Sequence, residues 1–210
     1  LKLSILICSL HERKESLERL IELLKEQHPG RWGDNLETYK VYSLRRLVCK
    51  GVEIIVCTDS GEMIVGEKRN LLKKYANGEY LCYFDDDDTP SEDYLAEILK
   101  AIEKKPDVVC FNAHQYENGE KMFFVNFGKH TSDKNDNKKM IAYRMANHLC
   151  VWKRDLAKRT DFPRISFGED GAWARKMRRY IRTIVKIEKV LYHYWFSHEG
   201  TRTQQHRFED

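Results

Sequence analysis

The chain opens with LSILIC (Leu3–Cys8), a continuous apolar run of buried-strand length. Leu17, Leu20, Ile21 and Leu24 then recur at helical spacing and predict a helix over residues 14–27. HPGRWGDN interrupts the pattern with Pro29, Gly30 and Gly33. The stretch Thr38–Lys50 is ambiguous, and a second short helix is one reading of it. VEIIVC (Val52–Cys57) predicts a second buried strand, TDSGEMIVG a loop, and Glu67–Ala76 a helix that Asn77 and Gly78 stop. YLCYF (Tyr80–Phe84) predicts a third strand. Thr89, Pro90 and Glu92 then have the spacing of an N-cap, a first-turn proline and a capping box. Tyr94, Leu95, Ile98, Leu99 and Ile102 mark the buried face of the helix that follows. DVVCF (Asp107–Phe111) and KMFFVNF predict a fourth and a fifth strand. Lys129–Lys139 reads as a charged, mobile stretch, with a short helix from its end to Met145. Gly168–Tyr180 reads as a loop entering a helix, and Val190–Phe196 as a late strand. Strand and helix alternate through the first half. That order predicts an α/β fold, a mostly parallel sheet flanked by helices. Such sheets bind ligands beyond the carboxyl ends of their strands.

At 210 residues the chain is long enough to bury a core as one domain. No run reaches the roughly 18 apolar residues that a membrane span needs. An amphipathic helix follows the first apolar run, and no small-residue cleavage site does. That run is therefore read as a strand and not as a signal peptide. Cys8, Cys49, Cys57, Cys82, Cys110 and Cys150 show no C-x-x-C spacing, and four of them lie in predicted strands. They read as buried thiols of a reducing, cytoplasmic compartment; disulfides or zinc are the alternative. The net charge of +4 permits an anionic partner without demanding one.

The chemistry concentrates in YFDDDDTP, Tyr83 to Pro90. Aspartates favour turns and helix N-termini, so a charged turn is the plain reading. Four adjacent carboxylates straight after a buried strand, however, repel one another more than a turn requires. A divalent cation removes that repulsion. Mg²⁺ and Mn²⁺ take one or two carboxylates together with phosphate oxygens and water.

Four segments follow in a telling order: ICSLHER (Ile7–Arg13), CTDSG (Cys57–Gly61), GEKRNLLKKYANGEYLCYFDDDD (Gly66–Asp88) and FGEDGAW (Phe167–Trp173). In that order the chain resembles the family 2 glycosyltransferases, from residue 3 to about residue 204. The resemblance implies a GT-A fold with a Rossmann-like sheet. It implies one domain over residues 1–210, with a nucleotide-sugar half (1–111) and an acceptor and catalytic-base half (112–210). It implies metal-dependent, inverting transfer from a nucleotide-diphosphate sugar, UDP-linked in the first instance, with Mn²⁺ or Mg²⁺ as cofactor.

Residue roles carry over with the motifs. Ser9, His11, Glu12 and Arg13 form the loop after the first strand, which departs from the family's more common Pro-x-Tyr-Asn; His11 is equally a surface histidine. Asp59 matches the residue that reads the base edge. Lys68 and Arg69 flank the nucleotide or are solvated helix charge, and Asn70 matches a position that braces the loop. Asp85 and Asp87 match the D-x-D pair. Asp86 or Asp88 would stand behind them, and the fourfold repeat leaves the register open by one residue. Asp170 matches the base that takes the acceptor's proton, with Glu169 orienting a substrate. Two acids decorating a helix N-terminus are the alternative. His198, then His193, are candidate metal or phosphate ligands, and Arg202 a phosphate partner; YHYWF is equally an edge strand. Asn147, His148 and Trp152 would border the acceptor, although a core tryptophan is as good a reading.

Lys and Arg cluster from Lys129 to Arg164 and in ARKMRRYIR. They form a solvated face or a footprint for an anionic acceptor. The compact form also resembles small phage and bacterial enzymes of this family, some of which glycosylate hydroxymethylated DNA bases. DNA therefore stands beside glycans and proteins as acceptor, at a cytoplasmic or membrane-peripheral location. Nucleotidyl transfer is a second reading, disfavoured because SLHERKES lacks the glycines such enzymes carry. A nucleotide- or nucleic-acid-binding module without activity is a third.

Overall fold

A computed structural model describes residues 1–130 and 132–196. The first half runs β1 (Leu3–Leu10), α1 (Lys14–Glu26), β2 (Gly33–Thr38), β3 (Ser43–Cys49), β4 (Val52–Asp59), α2 (Val65–Tyr75), β5 (Tyr80–Asp85), β6 (Thr89–Pro90) and α3 (Tyr94–Ile102). The second half runs β7 (Val108–Glu117), β8 (Glu120–Gly128), β9 (Lys134–Asp136), β10 (Ile141–Met145), β11 (Val151–Lys153), α4 (Arg154–Ala157), α5 (Glu169–Met177) and β12 (Ile184–Phe196).

One sheet runs through both halves, in the order β2-β3-β4-β1-β5-β11-β7-β8-β10-β9, with β12 along β7 and β6. Its centre is parallel. β1 lies between β4 and β5, with Ile5 opposite Ile54 on one side and Cys82 on the other. All three strands are buried on both faces, which is why their sequences read as unbroken apolar runs. The flanks are mixed. β11 is antiparallel to β5 and β7, and β12 is parallel to β7. α1 buries Leu17, Leu20, Ile21 and Leu24, the face that the spacing predicts. All six cysteines are free, and every one but Cys8 is buried. Among the described residues no helix is long and apolar enough to cross a membrane.

Four local expectations are corrected. Thr38–Lys50 is not helical: β3 pairs with β4 along seven residues, and β2 with β3, as an antiparallel hairpin between α1 and β4. Pairing within the sheet overrides weak local propensity there. Thr89 is not an N-cap; Thr89 and Pro90 pair with His193 and Tyr192 of β12. α3 begins at Tyr94 without a side-chain cap, and Leu95 N–H donates instead to Gln27 Oε1 of the distant α1 C-terminus (3.0 Å). The stretch toward Met145 is strand and not helix, because β10 finds a five-residue parallel partner in β8. Within Lys129–Lys139, Lys134–Asp136 pairs with β10. The sequence reading also passed over β11, three residues wedged between β5 and β7.

Two contacts position the site. Asn70 of α2 braces residue 162 in both directions: its amide donates to Phe162 C=O (2.9 Å) and accepts Phe162 N–H (2.9 Å). Gly66 lets the start of α2 lie directly on the same segment, since a Cβ there would stand 2.0 Å from Pro163 O. Gly66→Ala should therefore push the 162–168 segment away from α2. The expected loss is about 1–3 kcal/mol of stability, the range for overpacking, read as a lowered urea midpoint.

Candidate active site

β5 ends at Asp85, and Asp88 N–H donates to Asp85 C=O (3.2 Å), so the four aspartates wrap a tight turn. The turn sends each carboxylate to a different partner. Asp85 meets Arg69 Nη2 (3.3 Å) and His148 Nε2 (3.4 Å). Asp86 is buried, accepting the Ser9 hydroxyl (2.6 Å) and Arg13 Nη1 (2.9 Å). Asp87 shares Arg13 Nη1 (3.0 Å), and its side chain is 36% exposed, the most open of the four. Asp88 is buried and accepts the Tyr192 hydroxyl and Trp195 N–H (2.8 Å).

These environments separate the proton affinities. Burial would raise Asp85, but His148, Arg69 and Arg13 overcome it and hold the carboxyl below the usual range. Burial, with the Asp85 charge behind it, pushes Asp87 up to about 6 against the pull of Arg13. Burial and the charges of Asp85 and Asp87 raise Asp88 well above the usual value.

A cavity of about 860 Å³ opens beyond the carboxyl ends of β1, β4 and β5, where parallel sheets bind ligands. Asp85, Asp86 and Asp87 line it, and so do Glu169 and Asp170. Gly168, in the left-handed region at φ 74, turns the chain into α5, so that both acids stand in the helix's first turn. Two crossbars join the acid clusters. Buried Arg69 spans Asp85 and Glu169, at 3.3 Å from each. Buried His148 spans Asp85 and Asp170, with Nδ1 3.5 Å from Asp170 Oδ2. Burial opposes the Arg69 charge, yet Asp85 and Glu169 hold its proton more firmly than usual. Burial raises Glu169 against the pull of Arg69.

The other expected residues divide. Ser9, Arg13, Lys68 and Asn147 line the cavity. Asp59 does not: it is fully buried, paired with Lys68, and accepts Met63 N–H (2.7 Å), so it braces the loop that follows β4. Lys68 in turn donates to Ser9 C=O (2.8 Å). His11 and Glu12 sit exposed on a single 3-10 turn off the lining. Trp152 is core, packed edge-on against Trp173 and donating to Asn147 C=O (2.7 Å). His193 is not brought to the cavity. β12 alternates, so Tyr192 and Tyr194 line the cavity while His193 turns toward His114 and Tyr116. His198 and Arg202 lie outside the described residues. Sequence reasoning missed Tyr192 and Tyr194, although the period of two in YHYWF was a usable signal. It also missed Gln115 and Arg144, which line the cavity and carry no motif.

Comparison with known proteins adds the following. Residues 4–178 match the family model described as glycosyl transferase family 2. Comparison with the curated proteins finds no match. Among solved structures, S. aureus TarS 1–349 in complex with UDP-GlcNAc is similar at a TM-score of 0.67 and 14% identity, covering 97% of this chain and 60% of that one. S. aureus TarS 1–349 in complex with UDP gives 0.63 at 14% identity, over 94% and 61%. TarS 1–349 itself gives 0.65 at 16% identity, over 93% and 60%. The chain thus spans about three-fifths of these TarS structures, and at such identity the likeness is one of fold.

The Arg69 crossbar has a measurable consequence. Arg69→Met leaves Asp85 and Glu169 facing each other without their shared cation. Breaking a buried pair from one side costs about 3–5 kcal/mol. Asp85 is a third exposed, so the expected loss in urea unfolding is at the lower end, about 3 kcal/mol.

Proposed function

The chain belongs to glycosyl transferase family 2, and from that premise we propose that it moves a sugar from a UDP-sugar to an acceptor hydroxyl, with inversion at the anomeric carbon. The observation that carries this reading is the shared cavity. The carboxylates after β5 and those opening α5 face one space, and Arg69 and His148 link them. The TarS complexes with UDP-GlcNAc and with UDP support a uridine diphosphate donor. Residues 1–111 would hold the donor and 112–210 the acceptor.

In this reading Asp170, half-exposed in the cavity, takes the proton of the acceptor hydroxyl as its oxygen attacks the anomeric carbon. The bond from that carbon to the diphosphate breaks on the opposite face, and the nucleoside diphosphate leaves with the electron pair. Glu169 is locked by Arg69 and would orient a substrate hydroxyl. Ser9 and Arg13 hold Asp86, which sets the direction of the neighbouring Asp87.

Among the described residues no three His, Cys, Asp or Glu side chains gather as a protein-only metal cage would require. An ion shared with a diphosphate needs less, one or two carboxylates with phosphate oxygens and water. Asp87 fits that role, because it is open to the cavity and sits beside the carboxylate of Asp85. Mn²⁺ or Mg²⁺ held by Asp87 and Asp85 would supply Lewis-acid stabilisation of the departing diphosphate.

Two outcomes follow. Asp170→Asn should lower kcat for UDP release by about 10²–10⁴, the usual share of a general base, while donor KM stays near wild type. Unchanged kcat in that variant would remove the base from this reading. Chelation with EDTA should abolish UDP release and added Mn²⁺ restore it. Asp87→Asn should raise the half-saturating Mn²⁺ roughly tenfold or more, since even the outer-shell partners of a metal are worth that much.

A further inference from the structure

We propose that His148 is a positioning residue: it orients Asp170 for proton abstraction and ties it to the donor-side carboxylate of Asp85. The inference rests on the transferase reading above and deepens it. His148 is 4% exposed, and its two ring nitrogens face two different carboxylates. Nδ1 is buried and makes no hydrogen bond, with Asp170 Oδ2 waiting at 3.5 Å. Among the described residues His148 is the one cationic or imidazole side chain within 4 Å of the Asp170 carboxylate. A buried polar atom aimed at a carboxylate just beyond bonding distance is a contact that tightens when substrate closes the site.

The backbone at His148 is held on both sides. His148 C=O accepts Tyr83 N–H of β5 (3.0 Å), the strand that ends in Asp85. The Asn147 carbonyl accepts the Trp152 indole N–H (2.7 Å), and the Asn147 side chain accepts Leu149 N–H (3.1 Å). The backbone that carries the imidazole is therefore fixed to β5, whereas Asp170 sits in the first turn of α5, just after the left-handed Gly168. His148 registers the helix that supplies the base against the strand that supplies the donor-side carboxylate.

Amide substitutions separate the two contacts. An Asn amide occupies the place of Nδ1 and a Gln amide the place of Nε2. His148→Asn keeps the Asp170 contact and drops the Asp85 contact. It should hold kcat within about threefold and raise the donor KM roughly tenfold, by the scale of outer-sphere partners. His148→Gln does the reverse, with kcat down about 10- to 100-fold and donor KM near wild type. The same split appears without turnover: calorimetric UDP affinity in Mn²⁺ weakens in His148→Asn and holds in His148→Gln. A side chain that merely fills space gives equal losses in both variants that follow their melting temperatures, and that result, or a Gln variant at wild-type kcat, overturns the inference. Asp170→Asn measured alongside keeps the two failures apart. Absence of metal-dependent UDP release in the wild-type protein sinks the transferase reading and a fully active Asp170→Asn the base within it, whereas an inactive Asp170→Asn with an unimpaired His148→Gln sinks only the role of His148.

Discussion

Four adjacent carboxylates at the end of a buried strand can coexist only if each is led to its own partner. The turn closed by Asp88 N–H and Asp85 C=O makes this possible by splaying the four side chains. The partners come from separate parts of the chain: Ser9 at the end of β1 and Arg13 just after it, Arg69 from α2, His148 before β11, Tyr192 and Trp195 from β12. Relief of one local repulsion therefore ties the two halves of the sheet together around the cavity. An unpaired buried carboxylate would cost several kcal/mol, so this turn and its partners must be in place together.

The same arrangement sorts the aspartates by task. Asp86 and Asp88 are buried and hydrogen-bonded, and they hold backbone and side chains in register. Asp85 is the junction, facing Arg69 on one side and His148 on the other. Asp87 is left with one shared guanidinium and an open side. Its carboxyl holds its proton up to about 6, because burial and Asp85 act against Arg13. Among the four, Asp87 is thus the carboxylate that remains most open to the cavity.

Across the cavity the second acid pair depends on two backbone devices. Gly168 supplies a left-handed turn, and Gly66 allows α2 to touch the Pro163 carbonyl. Asn70 fixes the segment between them through both its amide atoms. Gly66 and Asn70 lie far in sequence from the segment they position, and their use shows only when the contact is seen.

Much was legible in the chain. The apolar runs of β1, β4 and β5 announced a doubly buried parallel centre, because strands covered on both faces cannot alternate. The order of the acidic and basic motifs announced the family and its two acid clusters. Tertiary structure alone decided which aspartate does what, since their partners lie between 16 and 107 residues away. It alone made a hairpin of 33–49, turned Thr89 from a cap into a strand partner, and sent His193 to the opposite side of β12 from Tyr192 and Tyr194. Local patterns record which side chains must be buried. They do not record which distant backbone or charge will bury them, and in this protein that choice is made by the pairing of β12 and β11 with strands far earlier in the chain.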